Sequence, residues 1–472
     1  MVTMTHPAPD TESTAPSAPS HRALSVGVVA GIFATAFEAI AVGTAMPAAA
    51  EDLGNLPLYA WAFSLFTVGM LAANILGGRM ADRFGPVRPL AIGGIVFTAG
   101  LVIGGLATSM EMLLAARLVQ GIGAGALNVS LFVLIALVFS EAERAKVMTL
   151  LSAAWVVPGF VGPPIAGWVT REFSWHWVFL GIIPLLAASA ALVVPVIIRL
   201  GRTGVLDPDA ESEANPVPIW AGFTLALGAV ALQFAGQRAG QPETRDAIAL
   251  LAALAGVAVL VFTLPKVMPP GLFRLAKGLP AVAVARAMAA GAFFGAESFI
   301  PLMLVRTRGL DYAWAGLVLT IGSSGWFVGA WLQSRRWLTW SRTTLIILGT
   351  VSIAIGTTGA ALVALLPGLP LWVAMAMWSF SGLGMGFVVA LTSLAAMTLS
   401  SRAQQGRNAS AMQAAEALGN SLFVGIAGTI FAALVPIATL HNTFGAVLGA
   451  MTVVALFGFI AALRIGAVSA PQ

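Results

Sequence analysis

The chain has 472 residues, 59% hydrophobic and only 9% charged, with a mean hydropathy of +0.93. Soluble domains carry roughly 25% charged residues, so this composition excludes a water-covered fold and calls for lipid over most of the surface. The net charge of +5 comes from scattered arginines and argues against nucleic-acid binding, while a chain with no cysteine and only His6, His21, His176 and His441 offers neither thiol chemistry nor a histidine metal cluster.

Residues 1–22, rich in Pro, Ser, Thr and Ala, read as a disordered cytoplasmic tail, without the basic start and cleavage site of a signal peptide. Apolar runs of about 20 residues mark spanning helices. Six fall within 23–199, at 24–46, 59–79, 88–108, 110–138, 144–169 and 175–198. A cytoplasmic linker follows at 200–216, with Asp207, Asp209, Glu211 and Glu213. Two inserted spans occupy 217–265, at 217–237 and 247–265. Arg238, Glu243, Arg245 and Asp246 between them are too much charge for one long span. A second linker, 266–279, leads to six more spans within 280–466, at 280–304, 312–333, 343–365, 370–399, 408–435 and 442–464, before a tail at 467–472. The expected fold is an all-α membrane protein of fourteen helices, with twelve as the alternative count.

With both termini inside, the cytoplasmic segments hold 17 basic residues and the outer segments 5, with Arg117 and Arg286 left inside helices. That bias predicts cytoplasmic termini in a bacterial inner membrane.

An internal repeat divides the spans. The only two tyrosines open the same tetrapeptide, Tyr59-Ala60-Trp61-Ala62 and Tyr312-Ala313-Trp314-Ala315, each followed ten residues later by a glycine, Gly69 and Gly322. Gly77 with Arg83 matches Gly329 with Arg335. Gly121-x-Gly123-x-Gly125 matches Gly382-x-Gly384-x-Gly386, and Ile165-Ala166-Gly167 matches Ile426-Ala427-Gly428. Two similar six-helix bundles with two helices inserted between them account for the order. Transporters built from parallel repeats bind substrate between the halves, near the bilayer midplane.

Four local patterns carry more. Span one holds Glu38 nine residues before Pro47. Gly77-Gly78-Arg79-Met80-Ala81-Asp82-Arg83-Phe84-Gly85 stands between spans two and three. Span four holds Arg117-Leu118-Val119-Gln120-Gly121-Ile122-Gly123-Ala124-Gly125. Span five holds Gly162-Pro163-Pro164-Ile165-Ala166-Gly167, followed by Trp175-His176-Trp177. Together they resemble the major facilitator superfamily, specifically its fourteen-helix drug:proton antiporter branch. The second pattern is similar to the family's G-x-L-A-D-R-x-G-R-(K/R) loop, with Pro86 and Val87 departing from its basic end. The third is similar to R-x-x-Q-G-x-G-x-G, and the fourth to a signature ending G-P-x-x-G-G. His176 replaces an arginine in the family's W-R-W segment, and Glu38 an aspartate. The resemblance implies that Gly78, Asp82, Arg83 and Gly85 latch conformations, with Asp82 accepting from a helix N-terminus and Arg83 pairing across the cytoplasmic face. It implies that Arg117 takes part in proton coupling, and that Gln120, Gly121, Gly162, Pro163 and Gly167 shape motion and export. Packing alone would also select these small residues, and the tryptophans read as interface anchors.

Three acids lie in the interior of spans, away from their ends: Glu38, Glu297 and Glu416. A carboxyl in hydrocarbon must either ionise beside a partner or hold its proton, which suits a group loaded on one side of a membrane and emptied on the other. Glu38 and Arg117 lie at similar depths, about 12 and 10 Å from the outer helix ends at 1.5 Å per residue, and so can pair. Glu297, beside Phe293, Phe294 and Phe299, suits a proton site or a lipophilic cation. Phe294, Asn128, Gln413, Glu416 and Asn420 are the remaining candidates for a substrate cavity, with interhelical hydrogen bonding as the structural alternative. Arg286 reads as a residue snorkelling to the cytoplasmic face. The expected function is a monomeric, proton-coupled antiporter of the lipid bilayer, without cofactor or enzymatic activity, exporting small lipophilic or amphiphilic compounds such as drugs and antibiotics. A specific metabolite exporter and a lipid or glycolipid transporter share its motifs. A proton-coupled importer would lack a working span-five signature.

Overall fold

The computed structural model describes residues 19–201, 219–239, 247–335, 337–400 and 405–467. Residues 1–18 of the expected tail, Arg202, the acidic residues of the first linker, Glu243, Arg245, Asp246, Arg336, Arg402 and residues 468–472 lie outside the described residues. The rest is helical, with no strand among the described residues.

The first bundle consists of α1 (Pro19–Leu53), α2 (Trp61–Phe84), α3 (Val87–Gly105), α4 (Met110–Val138) and α5 (Glu141–Glu172), with α6 (His176–Leu180) and α7 (Ile183–Gly201) sharing the sixth span. The inserted pair is α8 (Ile219–Ala239) and α9 (Ala247–Val267). The second bundle starts with α10 (Leu279–Glu297) and α11 (Ile300–Arg308), which together make one span. It continues with α12 (Tyr312–Leu332), α13 (Arg342–Leu365), α14 (Leu371–Thr398), α15 (Gln405–Leu434) and α16 (Leu440–Leu463). Among the described residues, thirteen helical segments are long and apolar enough to cross a membrane, and α8, at 21 residues, has matching length.

Three details differ from the sequence reading. Helix α1 already begins at Pro19, so residues 19–22 are helical and not tail. The predicted spans at 175–198 and 280–304 are each broken, the first at Gly181 and Ile182, the second at Ser298 and Phe299. Pro301 sits in the first turn of α11, where a missing N–H costs nothing.

Helix starts carry local signals. Ser109, Asp311, Ser341 and Thr439 each cap an orphan N–H with a side-chain oxygen. Ser140 and Glu143 form a reciprocal capping box at α5. His21 bonds the same glutamate at 3.2 Å, tying the start of α1 to α5, and these bonds from His21 and Ser140 hold the Glu143 carboxyl below its ordinary range.

The repeat glycines set how closely the helices pack. In α4, Gly121 and Gly125 face the α2 backbone and Gly123 faces α3 at Phe97. In α14, Gly382 and Gly386 face the α12 backbone and Gly384 faces α13 at Gly349. A methyl on Gly125 would lie 2.7 Å from the Met70 carbonyl oxygen. Neither site has room for a side chain, and close backbone approach through small residues is the usual means of joining helices in lipid.

The bundles meet along two seams, α5 against α12 and α2 against α15. Helix α8 lies over the second seam and touches both bundles. Towards α2, Ser64 Oγ donates to Gln233 Oε1 at 2.6 Å and Trp61 Nε1 donates to Gln237 Oε1. Towards α15, Gly236 lies against Thr429 and Gly425 against Gln233. Helix α9 lies outside α8 and exposes Leu250, Leu251, Leu254 and Phe262, the pattern of a helix facing lipid.

Replacing Gly121 by Val should lower the melting temperature and the yield of monodisperse protein, because overpacking a tight contact costs about 1–3 kcal/mol. Gly449→Val, where a Cβ meets nothing within 4 Å, should leave both near wild type. Thermal unfolding of the purified protein compares the two.

Candidate functional site

Arg117 lies seven residues inside α4 and is 2% exposed; Glu38 on α1 is wholly buried. The structure brings them together: Arg117 Nη1 donates to Glu38 Oε1. The same nitrogen donates to Gln120 Oε1 at 2.6 Å, and Nε donates to the Ala62 carbonyl of α2 at 2.8 Å. The guanidinium sits 4.4 Å from the centre of the Phe66 ring. Gln120 in turn donates to the Gly100 carbonyl of α3 at 3.0 Å. One arginine thus ties together α1 and α2, and through Gln120 α3. Glu38 Oε2 is buried with no hydrogen-bond partner. Asn128, one of the cavity candidates, is half-buried and accepts from Thr35 Oγ1 at 3.3 Å.

The second bundle is built differently. The repeat position of Arg117 holds Trp378, whose ring stacks on Phe293 at 4.9 Å and 17°. Trp326 meets Phe293 edge-on at 5.6 Å and Phe294 at 6.2 Å. Glu297 follows one turn later, at the end of α10. Glu297 is partly exposed and makes no hydrogen bond or ion pair among the described residues. No residue from 278 to 305 is fully exposed, and none from 27 to 50 in α1. The accessibility that Glu297, Phe294, Phe33 and Phe37 keep therefore belongs to helices ringed by others.

Arg286 does not snorkel. It is 2% exposed, and its Nε and Nη2 donate to Glu416 Oε2 at 3.0 and 2.6 Å. Its Nη1 reaches the Val389 carbonyl, Thr392 and Ser393 on α14. A carboxylate on α15 was within reach, and pairing inside the bundle replaced the path to water. Of the polar stripe expected on α15, Glu416 is thus held in an ion pair, Gln413 is exposed and Asn420 half-buried.

In the loop motif, Gly78 packs beside Val129, and Gly85 takes a positive φ of 74° that glycine permits. Asp82 is exposed with no hydrogen bond among the described residues, so it does not accept from a helix N-terminus in this conformation. Arg83 and Arg88 lie 5.2 and 5.0 Å from the Phe84 ring centre, so Arg83 is turned to its own neighbour and not across the face. In α5, Gly162 touches Phe37 and Ile40, the Pro163 carbonyl approaches Gly316, and Gly167 lies against Ala313. Trp175 is not an interface anchor: it is 4% exposed, stacks on His176 at 3.7 Å and donates to Asp52 at 3.0 Å. Trp177, 56% exposed, is the one that faces outward.

Sequence reasoning missed the Arg286–Glu416 pair and the Trp326–Trp378–Phe293 cluster. The signal for the first was present: two opposite charges inside spans, each without another partner in its own helix.

The family model of the Major Facilitator Superfamily matches residues 28–424, and the chain belongs to that superfamily. Multidrug transporter protein MdtP of Bacillus subtilis (strain 168) is 25% identical over 421 residues, covering 86% of this chain and 74% of that protein. Multidrug resistance protein 3 of the same organism is 27% identical over 418 residues, covering 86% and 78%. A probable multidrug-efflux transporter of Mycobacterium tuberculosis (strain ATCC 25618 / H37Rv) is 26% identical over 393 residues, covering 82% of each. Among solved structures, the peptide transporter POT in complex with sulfate aligns with a TM-score of 0.65 and 16% identity over 95% of both chains. A bacterial homolog of the human lysosomal transporter Spinster, inward-facing and unoccupied, aligns with 0.61 and 16% over 95% and 98%. These likenesses show a transporter fold and not an enzyme.

Arg117→Ala should destabilise the protein by about 3–5 kcal/mol, the cost of leaving one half of a buried ion pair alone. The double variant Arg117→Met with Glu38→Gln should recover most of that stability, because neither charge then remains. Thermal unfolding of the two variants beside wild type tests this.

Proposed function

We propose that this chain exports small lipophilic or amphiphilic cations in exchange for protons, by alternating access. The observation that carries the reading is Glu297: an acid inside the second bundle, partly accessible, without a hydrogen bond or ion pair among the described residues, and close in sequence to the ring cluster of Phe293, Phe294 and Trp326. A carboxylate in such a place gains by binding either a proton or a cation, and the rings add attraction for the cation alone. Competition for one acid is the simplest form of exchange, since proton and cargo cannot both hold it. Glu38 and Arg117 are the second element. Protonating Glu38 would remove its attraction for Arg117 and loosen α1 from α4, so the pair can report proton loading to the helices it joins. The multidrug names of the relatives support drug-like cargo, and the preference for cations rests on Glu297 and its aromatic neighbours. The bias of basic residues supports cytoplasmic termini in a bacterial inner membrane, which puts the loops of Tyr59 and Tyr312 outside. Asn128, Asn420 and Gln413 would be the neutral polar part of the cavity, and the transporter would work as a monomer.

The test is reconstitution into vesicles with an imposed pH gradient, following a lipophilic cationic dye beside a neutral lipophile. Wild type should move the dye and leave the neutral compound. Glu297→Gln should lose at least about tenfold in dye transport, the factor set by ~1.4 kcal/mol. Glu38→Gln should lose gradient-driven transport yet retain exchange down a dye gradient. Full gradient-driven dye transport in both variants rules the reading out. Movement of the neutral lipophile alone favours a lipid carrier.

A further inference from the structure

Both tyrosines of the repeat cross from one bundle to the other. Tyr59, wholly buried at the start of α2, donates its hydroxyl to the Ser298 carbonyl of the second bundle at 2.9 Å. Its ring lies 5.4 Å from Phe299, which continues into Phe431 at 5.1 Å. Tyr312, opening α12, donates to Glu51 Oε2 of α1 at 2.5 Å. Glu51 Oε1 also receives Arg306 at 3.3 Å, and Arg171 of the first bundle stands 3.8 Å from Asp311 of the second.

The residue after each tyrosine repeats the crossing. Ala60 packs on Gly428 of α15, and Ala313 on Gly167 of α5, the two glycines that match each other in the repeat. The tetrapeptide and the Ile-Ala-Gly motif, far apart in sequence, therefore meet twice, once over each seam, at the face where α1–α2 and α11–α12 are joined. Asp82, at the opposite face, makes no hydrogen bond among the described residues.

We propose that Tyr59 and Tyr312 are positioning residues of the transport cycle: their hydroxyls latch the two bundles at this face, and both must let go before it can open. Tyr59 holds the more consequential end. Its acceptor, Ser298, follows Glu297 in the break between α10 and α11. A movement of that break shifts the unpaired acid and the latch together. The inference rests on the chain being a transporter of this fold, not on what it carries or on proton coupling.

The natural chain lacks cysteine, so spin labels can be placed without background. Thr108→Cys and Ile437→Cys put exposed labels on the two bundles at the tyrosine face, and Ala91→Cys with Leu399→Cys does so towards the opposite face. Distances are read by double electron–electron resonance in lipid nanodiscs, without substrate. Wild type should show mainly the short 108–437 distance. Tyr59→Phe and Tyr312→Phe should each raise the long-distance population about three- to tenfold, the range one net hydrogen bond supports. The double variant should raise it further, while the 91–399 distance shortens. Unchanged 108–437 distances in the double variant overturn the proposal. So does broadening of both distances together, which is collapse and not opening. Dye transport measured on the same variants keeps the question of cargo separate.

Discussion

Charge placed in hydrocarbon must be answered by charge, and that constraint organises this protein. Each bundle answers with one arginine–glutamate pair: Arg117 with Glu38 in the first, Arg286 with Glu416 in the second. Each arginine is 2% exposed and spans more than one helix; Arg117 adds bonds to the Ala62 carbonyl and the Gln120 amide oxygen, and Arg286 to the Val389 carbonyl and the hydroxyls of Thr392 and Ser393. The Arg286 pair uses all three guanidinium nitrogens, whereas around Arg117 only Nε and Nη1 donate and Glu38 Oε2 is left over, so the first pair is the less fully satisfied of the two. Glu297 stands out against them. Among the described residues it is the third intramembrane acid and the one with no ion pair, and the aromatic rings near it cannot neutralise a carboxylate.

The repeat preserves packing and abandons chemistry. The glycine triplets of α4 and α14 meet the same neighbours in the same order, because helix separation allows no other residue there. At the polar position the halves diverge. Arg117 reaches a carboxylate on α1, whereas Trp378 stacks on a phenylalanine of α10. Two bundles with one shape and different interiors can move as equals while, among the described residues, only the second carries an acid within its spans that has no ion pair.

Most of the architecture was legible in the sequence because spanning helices obey one strong rule, length in apolar residues. The glycine and tyrosine repeats were legible because their spacing is preserved. The Glu38–Arg117 contact could be anticipated from depth, since both residues lie at known distances along helices of opposite direction. What depth cannot give is the side of the helix a residue faces. Arg286 was therefore read as reaching water when it reaches Glu416, 130 positions away. Trp175 reads from sequence as an anchor at the membrane interface, yet it is buried and turned to Asp52. The breaks at Gly181 and Ser298 escaped the hydropathy pattern because the apolar run continues through them. Asp82 and Arg83 are part of a motif that describes a contact of some conformation, and a sequence does not say which conformation a structure will hold.

The inserted pair breaks the symmetry that the repeat sets up. Helix α8 is fastened to α2 by two side-chain bonds, through Gln233 and Gln237, yet meets α15 through glycines and the flank of Thr429. Directional bonds resist shear, and smooth van der Waals surfaces yield to it. Among the described contacts, α8 is therefore pinned to the first bundle by direction and laid against the second by shape, like a shutter hung from one door. Lipid meets a covered joint on that flank and a bare one between α5 and α12.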